Sequence, residues 1–300
     1  MSTYTLHITK SCNLACDYCY EKDKTSQYSL DQIIKNIDNI FKNINEKITI
    51  EFLGGETLLR FDLLKKSVEY MENNYFKHIN NYLITTNGTI INDTIIDFLK
   101  TYKNRISLSI SIDGDEESNK RRYYKNRKYC YNDIINNITK IINLDPIVHI
   151  VTHKDNVNKT YDNIIMFYNM GIKKISIGFI QSTEFLTDEE FKILEKQLIA
   201  IIDYRFCNKI TDLYIDVIDS KPIQNSVKIY VEDIINNKII FESFGSVSSG
   251  LIENINKEFF NKNEYNIMTT IDKDSYRTNI HNIKNILYNY KEDKYGNIKL

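Results

Sequence analysis

Two hydrophobic periods alternate along the chain. In SLDQIIKNIDNIFKNI (29–44), Ile33, Ile34, Ile37, Ile40, Phe41 and Ile44 recur at helical spacing behind a Ser29 placed to cap. KITIEFL (47–53) then reads as a strand running into the turn residues GGET. FDLLKKSVEYMENNYF, DTIIDFLKTY, YNDIINNITKIIN and YDNIIMFYNMG read as further helices, and a long one follows over 187–205. YTLHIT, NYLITTNG, RISLSISIDG, PIVHIVTH and KKISIGFIQ read as further strands. Six strand–helix units with short connections predict a parallel sheet covered by helices. The expected fold is α/β, a partial (β/α)6 TIM-like barrel over 1–205, with functional residues at the C-terminal ends of its strands. Residues 206–300 are expected to form a small α+β extension. In it, VKIYVEDIINNKIIFESF (227–244) reads as two strands with a turn near Asn236 and Asn237. TNIHNIKNILYNY places Ile280, Ile283, Ile286, Leu287 and Tyr290 on one helical face. Packing of that face on the barrel is the expected reading, and a grip on a peptide is the alternative.

Composition adds limits. Three hundred residues, 42% apolar and 26% charged, are enough for one large core or two small ones. With 39 basic against 40 acidic residues there is no global field to attract nucleic acid or an anionic membrane. No apolar run reaches the roughly 18 residues of a membrane span, and MSTYTLHITK lacks a secretory apolar segment, so a cytoplasmic location is expected.

Five cysteines, an odd number with three crowded together, argue for metal or redox chemistry in a reducing compartment and against a disulfide framework. Cys12, Cys16 and Cys19 follow the spacing C-x3-C-x2-C within SCNLACDYCYEK (11–22). A structural zinc site needs a fourth ligand, and no second cysteine pair or histidine pair follows. A cubane iron–sulfur cluster also takes four ligands, so three thiolates leave one iron open to a substrate or cofactor.

CNLACDYCYE resembles the cluster loop of the radical S-adenosylmethionine (radical SAM) enzymes, with Tyr18 at the aromatic position of the pattern. The resemblance implies one 4Fe-4S cluster on the three cysteines, SAM chelated to the open iron, and reductive cleavage to a 5'-deoxyadenosyl radical that abstracts hydrogen from substrate. An electron donor such as flavodoxin or ferredoxin is implied as a partner. It further implies that Gly54, Gly55 and Glu56 receive the SAM amino group, with Thr57 where many members carry proline. Thr86 and Asn87 of TTNG line the SAM pocket on this reading, and Ser109, Ser111 and Asp113 of SLSISIDG reach its ribose and methionine portions. Each of these pieces is individually consistent with a plain turn. KRRYYKNRK (120–128) has three readings: a solvated loop, a base-stacking surface, or the source of an arginine, Arg121 or Arg122, beside the SAM carboxylate. His153 and Asn156 are placed to face the same cavity, although a lone histidine is commonly a surface residue.

Over about residues 4–205 the chain resembles the peptide- and protein-modifying members that carry a SPASM or Twitch extension. Those extensions bind auxiliary clusters, whereas after residue 131 this chain has Cys207 alone, and one thiolate cannot hold a cubane. The expectation is therefore a single cluster and a degenerate extension, acting on a peptide or protein, with RNA or small-molecule chemistry, or a non-catalytic metal-binding module, as alternatives. No leader-binding module is visible before the first strand, which weakens the peptide reading without removing it. A redox-neutral reaction such as epimerisation needs no auxiliary electron sink, and a free thiol can return hydrogen. Cys207 is the candidate donor and Cys130 the second, each also readable as a small apolar residue.

Overall fold

The computed structural model describes residues 3–19, 21, 24–25, 27–42, 44–180, 184–220, 226–233, 238–244 and 274–295, with backbone alone over 226–244 and 274–281. Six strand–helix units follow in order: β1 (Thr3–Thr9) and α1 (Leu30–Phe41), β2 (Ile48–Gly54) and α2 (Phe61–Tyr75), β3 (Ile79–Thr86) and α3 (Asp93–Thr101). The second half adds β4 (Ile106–Ser111) and α4 (Tyr131–Ile141), β5 (Ile147–Thr152) and α5 (Thr160–Asn169), β6 (Lys174–Phe179) and α6 (Asp188–Cys207). Local signals set the helix starts: Ser29 and Gln32 form a capping box ahead of α1, and Thr187 and Glu190 form another ahead of α6.

The strands run parallel in the order β6-β5-β4-β3-β2-β1, a partial barrel as the alternation predicts. A short β7 (Tyr214–Ile215), which no periodicity announced, extends the β6 edge and leads into α7 (Asp216–Asp219). β8 (Ser226–Asp233) and β9 (Lys238–Phe244) are the two expected strands of the C-terminal region, and their turn at Asn236 and Asn237 lies outside the described residues. β8 pairs in parallel with β1, and β9 pairs antiparallel with β8, so the C-terminal strands continue the barrel sheet. α8 (Asp274–Tyr295) lies on α6, burying Ile283 and Leu287. Asp203 of α6 accepts from Tyr290 at 2.9 Å, Tyr295 at 2.6 Å and Lys294 at 3.0 Å. That face of α8 therefore packs on the barrel, while Ile286 is exposed.

Strand register sorts the side chains into two faces. The rows Leu6–Phe52–Ile84–Leu108 and Tyr4–Ile50–Tyr82–Ile106 are buried and face the helices, as Tyr82 shows by donating to Glu72 of α2 at 2.7 Å. The opposite face, toward the barrel lumen, carries the rows Thr5–Glu51–Leu83–Ser107 and Ser111–His149–Ser176. A closed TIM barrel fills this space with branched apolar side chains. Here Ser107, Ser111, His149 and Ser176 are half-buried. Among the described residues the lumen wall is thus polar and only partly enclosed.

Candidate active site

The three cysteines lie in the loop after β1, at the C-terminal ends of the strands. Two segments grip that loop through its backbone. From β2, Gly55 N–H donates to Thr9 O and Glu56 N–H to Ser11 O, both at 2.8 Å. A Cβ on Gly54 would collide with the Thr9 carbonyl, and one on Gly55 with the carbonyls of Lys10 and Ser11. The glycine pair therefore permits close approach to the cysteine loop itself. On the other side, Ala15 N–H donates to Tyr123 O at 2.8 Å and Asp17 N–H to Arg121 O at 3.1 Å, and Leu14 and Tyr124 form an antiparallel bridge.

Glu56 ties this loop to β3. Its carboxylate is fully buried and accepts from Leu58 N–H at 2.9 Å, Thr86 Oγ1 at 2.7 Å and Asn87 N–H at 2.6 Å. Burial raises its pKa above the usual glutamate range, and the three hydrogen bonds oppose that rise. The carboxylate is thus committed to fixing Thr86 and Asn87. Asn87 in turn donates through Nδ2 to Asn13 Oδ1 at 2.8 Å and approaches Cys12 Sγ at 3.8 Å. Asn13 donates to Thr89 Oγ1 at 2.8 Å. Asn13 and Thr89 belong to the site although neither was singled out in the sequence; the only signal was Asn13 lying between two of the cysteines.

After β4, Asp113 is fully buried and paired with the equally enclosed Arg122. Nη2 donates to Oδ1 at 3.0 Å, while Nε lies 3.0 Å from Oδ2 without a hydrogen-bonding angle. Val151 N–H also donates to Asp113, at 3.2 Å, and Tyr18 gives its hydroxyl proton to the same carboxylate. The guanidinium stands 5.3 Å from the Tyr18 ring centroid, a cation–π distance. Burial alone would lower the Arg122 pKa, but Asp113, Tyr18 and Cys16 outweigh it and hold the charge. Burial raises the Tyr18 phenol as well. Of the two candidate arginines, Arg122 faces this site, and Arg121 is ion-paired outward to Asp155 at 2.6 Å and Glu184 at 2.8 Å.

His153 is buried, not on the surface. Its Nδ1 accepts from Asp155 N–H at 3.3 Å, which places the proton of the neutral ring on Nε2, 3.9 Å from Asp113 Oδ2. Burial pulls its pKa below the ordinary histidine range despite the attraction of Asp113. Asn156 braces the turn, donating to Asp113 O at 3.2 Å and Val151 O at 3.0 Å. Ser109 and Ser111 lie on the lumen face of β4, Ser109 buried and Ser111 half-buried.

Three thiols suit a cluster with one open iron better than a structural zinc ion, which takes four protein ligands. Among the described residues no three histidine, cysteine, aspartate or glutamate side chains form a group that could hold a single metal ion. Cys12 Sγ accepts from Leu14 N–H at 3.4 Å, one of the contacts that orient and stabilise a cluster thiolate. Burial pushes Cys16 up to about 12, against the pull of Arg122, and raises Cys12 too. Without a metal these thiols hold their protons, so binding must displace them.

Two expected residues fall elsewhere. Cys207 ends α6, whose 20 residues span about 30 Å and run back from the C-terminal ends of the strands. It is exposed, beside the Phe206–Tyr295 stack, at the end of α6 that points away from the cysteine loop. Cys130 is fully buried, donates to Arg122 O at 3.3 Å and is raised to about 11 by burial. It is a packed structural thiol at the start of α4. The basic run is divided: Arg122 and Tyr123 are buried, the Tyr123 hydroxyl lying on Asp17, and half-buried Tyr124 donates to Asp133 at 2.9 Å, whereas Lys120, Lys125, Arg127 and Lys128 are exposed.

Comparison with known proteins places the chain. Residues 6–167, more than half of it, match the model of the Radical SAM superfamily. An uncharacterized protein of Methanocaldococcus jannaschii is 35% identical over 184 residues, covering 60% of this chain and 63% of the relative. The cysteine-type anaerobic sulfatase-maturating enzyme of Clostridium novyi is 29% identical over 58% of this chain and 48% of its own. The chain thus spans roughly half to two thirds of the length of these relatives. In fold it is similar to native anSMEcpe with bound AdoMet and a Cp18Cys peptide, with a TM-score of 0.65 and 17% identity over 73% of this chain and 63% of that one. It is also similar to Streptococcus suis SuiB bound to the precursor peptide SuiA, with a TM-score of 0.60 and 14% identity over 99% of this chain and 66% of that one. The three-cysteine loop, the strand-end site and the family match agree: this chain belongs to the radical SAM superfamily.

Proposed function

We propose that this protein is a radical SAM enzyme that modifies a peptide or protein. Cys12, Cys16 and Cys19 would hold one 4Fe-4S cluster, and Tyr18, Gly54, Gly55, Glu56, Thr86, Asn87, Ser109, Ser111, Asp113 and Arg122 would form the SAM site around it. When bound, the cluster and SAM supply a reducing electron and a 5'-deoxyadenosyl radical; a flavodoxin- or ferredoxin-like partner would deliver the electron. The chain's own contribution is placement. Glu56 locks Thr86 and Asn87 against the cysteine loop, Asp113 keeps Arg122 charged in a dry site, and the polar lumen holds the substrate. We take 1–205 as the catalytic barrel and 206–300 as the extension that lengthens its sheet.

The observation that carries this reading is the family match over 6–167 joined to a cysteine loop gripped from both sides at the strand ends. A peptide substrate is supported by the peptide-bound proteins of similar fold and by the open polar lumen. An RNA substrate is the lesser reading: the sequence carries no basic excess, and Arg122 is paired with Asp113 and Arg121 with Asp155 and Glu184, while Lys125, Arg127 and Lys128 are exposed. Among the described residues, no helix is long and apolar enough to cross a membrane. The test is anaerobic reconstitution with iron and sulfide, then SAM and dithionite. A brown protein that releases 5'-deoxyadenosine is expected, and a colourless zinc protein that leaves SAM intact would overturn the reading. Incubation with candidate peptides in deuterated water then distinguishes hydrogen return from a crosslink by mass.

A further inference from the structure

One side of the cysteine loop carries a hairpin whose exposed tip has no part in the site described above. Its first arm lies on the loop: Leu14 bridges Tyr124, and Lys125 N–H donates to Asn13 O at 3.4 Å. Its second arm returns beside the first, with Tyr129 bridging Tyr123 and Tyr124 N–H donating to Lys128 O at 2.9 Å. Residues 125–129, KNRKY, are all exposed.

The tip is cationic on balance. Among the described residues no carboxylate pairs with Lys125 or Arg127, and the Lys128 ammonium stands 4.0 Å from Asp133 with its side chain 70% exposed. The two nearest carboxylates are each held by a phenol, Asp17 by Tyr123 and Asp133 by Tyr124 at 2.9 Å. Lys120, at the base of the hairpin, is paired with Glu117. Arg127 sets its guanidinium 4.5 Å from the Tyr123 ring centroid and takes a left-handed φ of 67°. That backbone costs an arginine more than a glycine or an asparagine, so the surroundings hold the turn in place. Tyr129, 54% exposed, is the most exposed large apolar side chain among the described residues. Tyrosine and arginine are enriched where proteins meet, and charges around them steer an oppositely charged partner.

Place decides which partner. Cys12 and Cys16 flank residues 13–15, the stretch on which the first arm lies. Paired segments stand about 4.8 Å apart, so the two arms put the tip about 10 Å from the backbone of the cysteine loop. An electron arriving there from solvent has one hairpin to cross. RNA suits the tip less well. A single-strand track sets successive stacking aromatics along a basic groove, whereas Tyr123 is buried and Tyr124 half-buried, which leaves Tyr129.

We propose that the 125–129 tip is the docking face for a small, acidic, one-electron carrier protein. Lys125, Arg127 and Lys128 meet carboxylates of the carrier around Tyr129. In the transfer the carrier is oxidised by one electron and the cluster reduced by one; no bond forms or breaks, and no proton moves. Encounters of this kind bury little surface and take their rate from charge. The proposal rests on the enzyme reading above for the need of an electron, and it adds where that electron enters.

The test uses the full-length protein reconstituted with iron and sulfide, and a prereduced acidic flavodoxin as the carrier. Cluster reduction is followed by absorbance in stopped flow, without SAM. In the wild type the rate should fall at least about fivefold between about 0.05 and 0.3 M salt, as screening shortens the reach of the patch. The double variant Lys125→Glu/Lys128→Glu should be reduced at least about tenfold more slowly at the lower salt, with its end-point 5'-deoxyadenosine yield from dithionite unchanged. Carbodiimide, which joins lysine to carboxylate, should crosslink flavodoxin to Lys125 or Lys128 of the wild type. A wild-type rate indifferent to salt overturns the proposal without any variant, and so does a double variant reduced at the wild-type rate. Loss of binding to a single-stranded RNA oligonucleotide in that variant, with flavodoxin reduction intact, would assign the tip to RNA instead. If the wild type accepts electrons from flavodoxin yet never cleaves SAM, the enzyme reading fails and the docking face stands.

Discussion

The same strands present two unlike faces. Toward the helices, β1 to β4 show Leu6, Phe52, Ile84 and Leu108; toward the lumen they show Thr5, Glu51, Leu83 and Ser107. The outer rows hold the barrel together by excluding water. The inner rows contribute little apolar burial and are spent on hydrogen-bonding capacity beneath the site. Stability and chemistry are thus separated by the two-residue period of a strand, and substitution can probe one without the other.

The largest effect should come from the buried pair at the rim, where both demands meet. Arg122→Ala leaves the Asp113 carboxylate enclosed without its cation, a loss of about 3–5 kcal/mol. Chemical denaturation should show that loss together with a fall in SAM cleavage; a variant of native stability would mean that water already reaches Asp113. Phe52→Ala removes an outer-face ring with no exposed surface and should also cost about 3–5 kcal/mol by the same measurement. Ser107→Ala, two strands away on the inner face, loses one hydrogen bond from Asn81 and should cost about 1 kcal/mol at most. Equal losses at Phe52 and Ser107 would erase the distinction between the faces.

A smaller effect is expected from pH. The His153 pKa is depressed on folding, so the unfolded chain takes up a proton before the folded one does. The corresponding stability is complete above about pH 6.5 and falls as the pH drops from there toward the folded value. His153→Gln should flatten that part of the urea-midpoint profile between about pH 7.5 and 5.5, and an unchanged slope would assign it to other groups. Least of all should follow from Cys207→Ala at the opposite pole: a stability change within about 0.5 kcal/mol and unaltered 5'-deoxyadenosine yield. A lost product there would support the thiol as a hydrogen donor.

Periodicity made the barrel legible because helices and strands announce themselves locally, down to the Ser29 cap. The cysteine loop was legible because its ligands lie within eight positions of one another. What escaped was non-local. Nothing in GGET says that its glycines abut the carbonyls of residues 9–11, or that KRRYY lends its backbone to the cysteine loop. β7 is two residues long and carries no period. Cys207 was placed beside the chemistry by elimination among cysteines, and only the direction of α6 shows that it lies a full helix length away. Alternation in ISLSIS and KISIG was visible, yet which face is the lumen follows only once six strands curve together.

The central claim is that three thiolates at the strand ends leave one iron open for SAM. Electron paramagnetic resonance of the anaerobic, dithionite-reduced protein tests it directly, with and without SAM. The account predicts one 4Fe-4S signal whose g values shift when SAM is added and which vanishes in Cys16→Ala. A cluster signal indifferent to SAM, or none in the iron-reconstituted wild type, would contradict it.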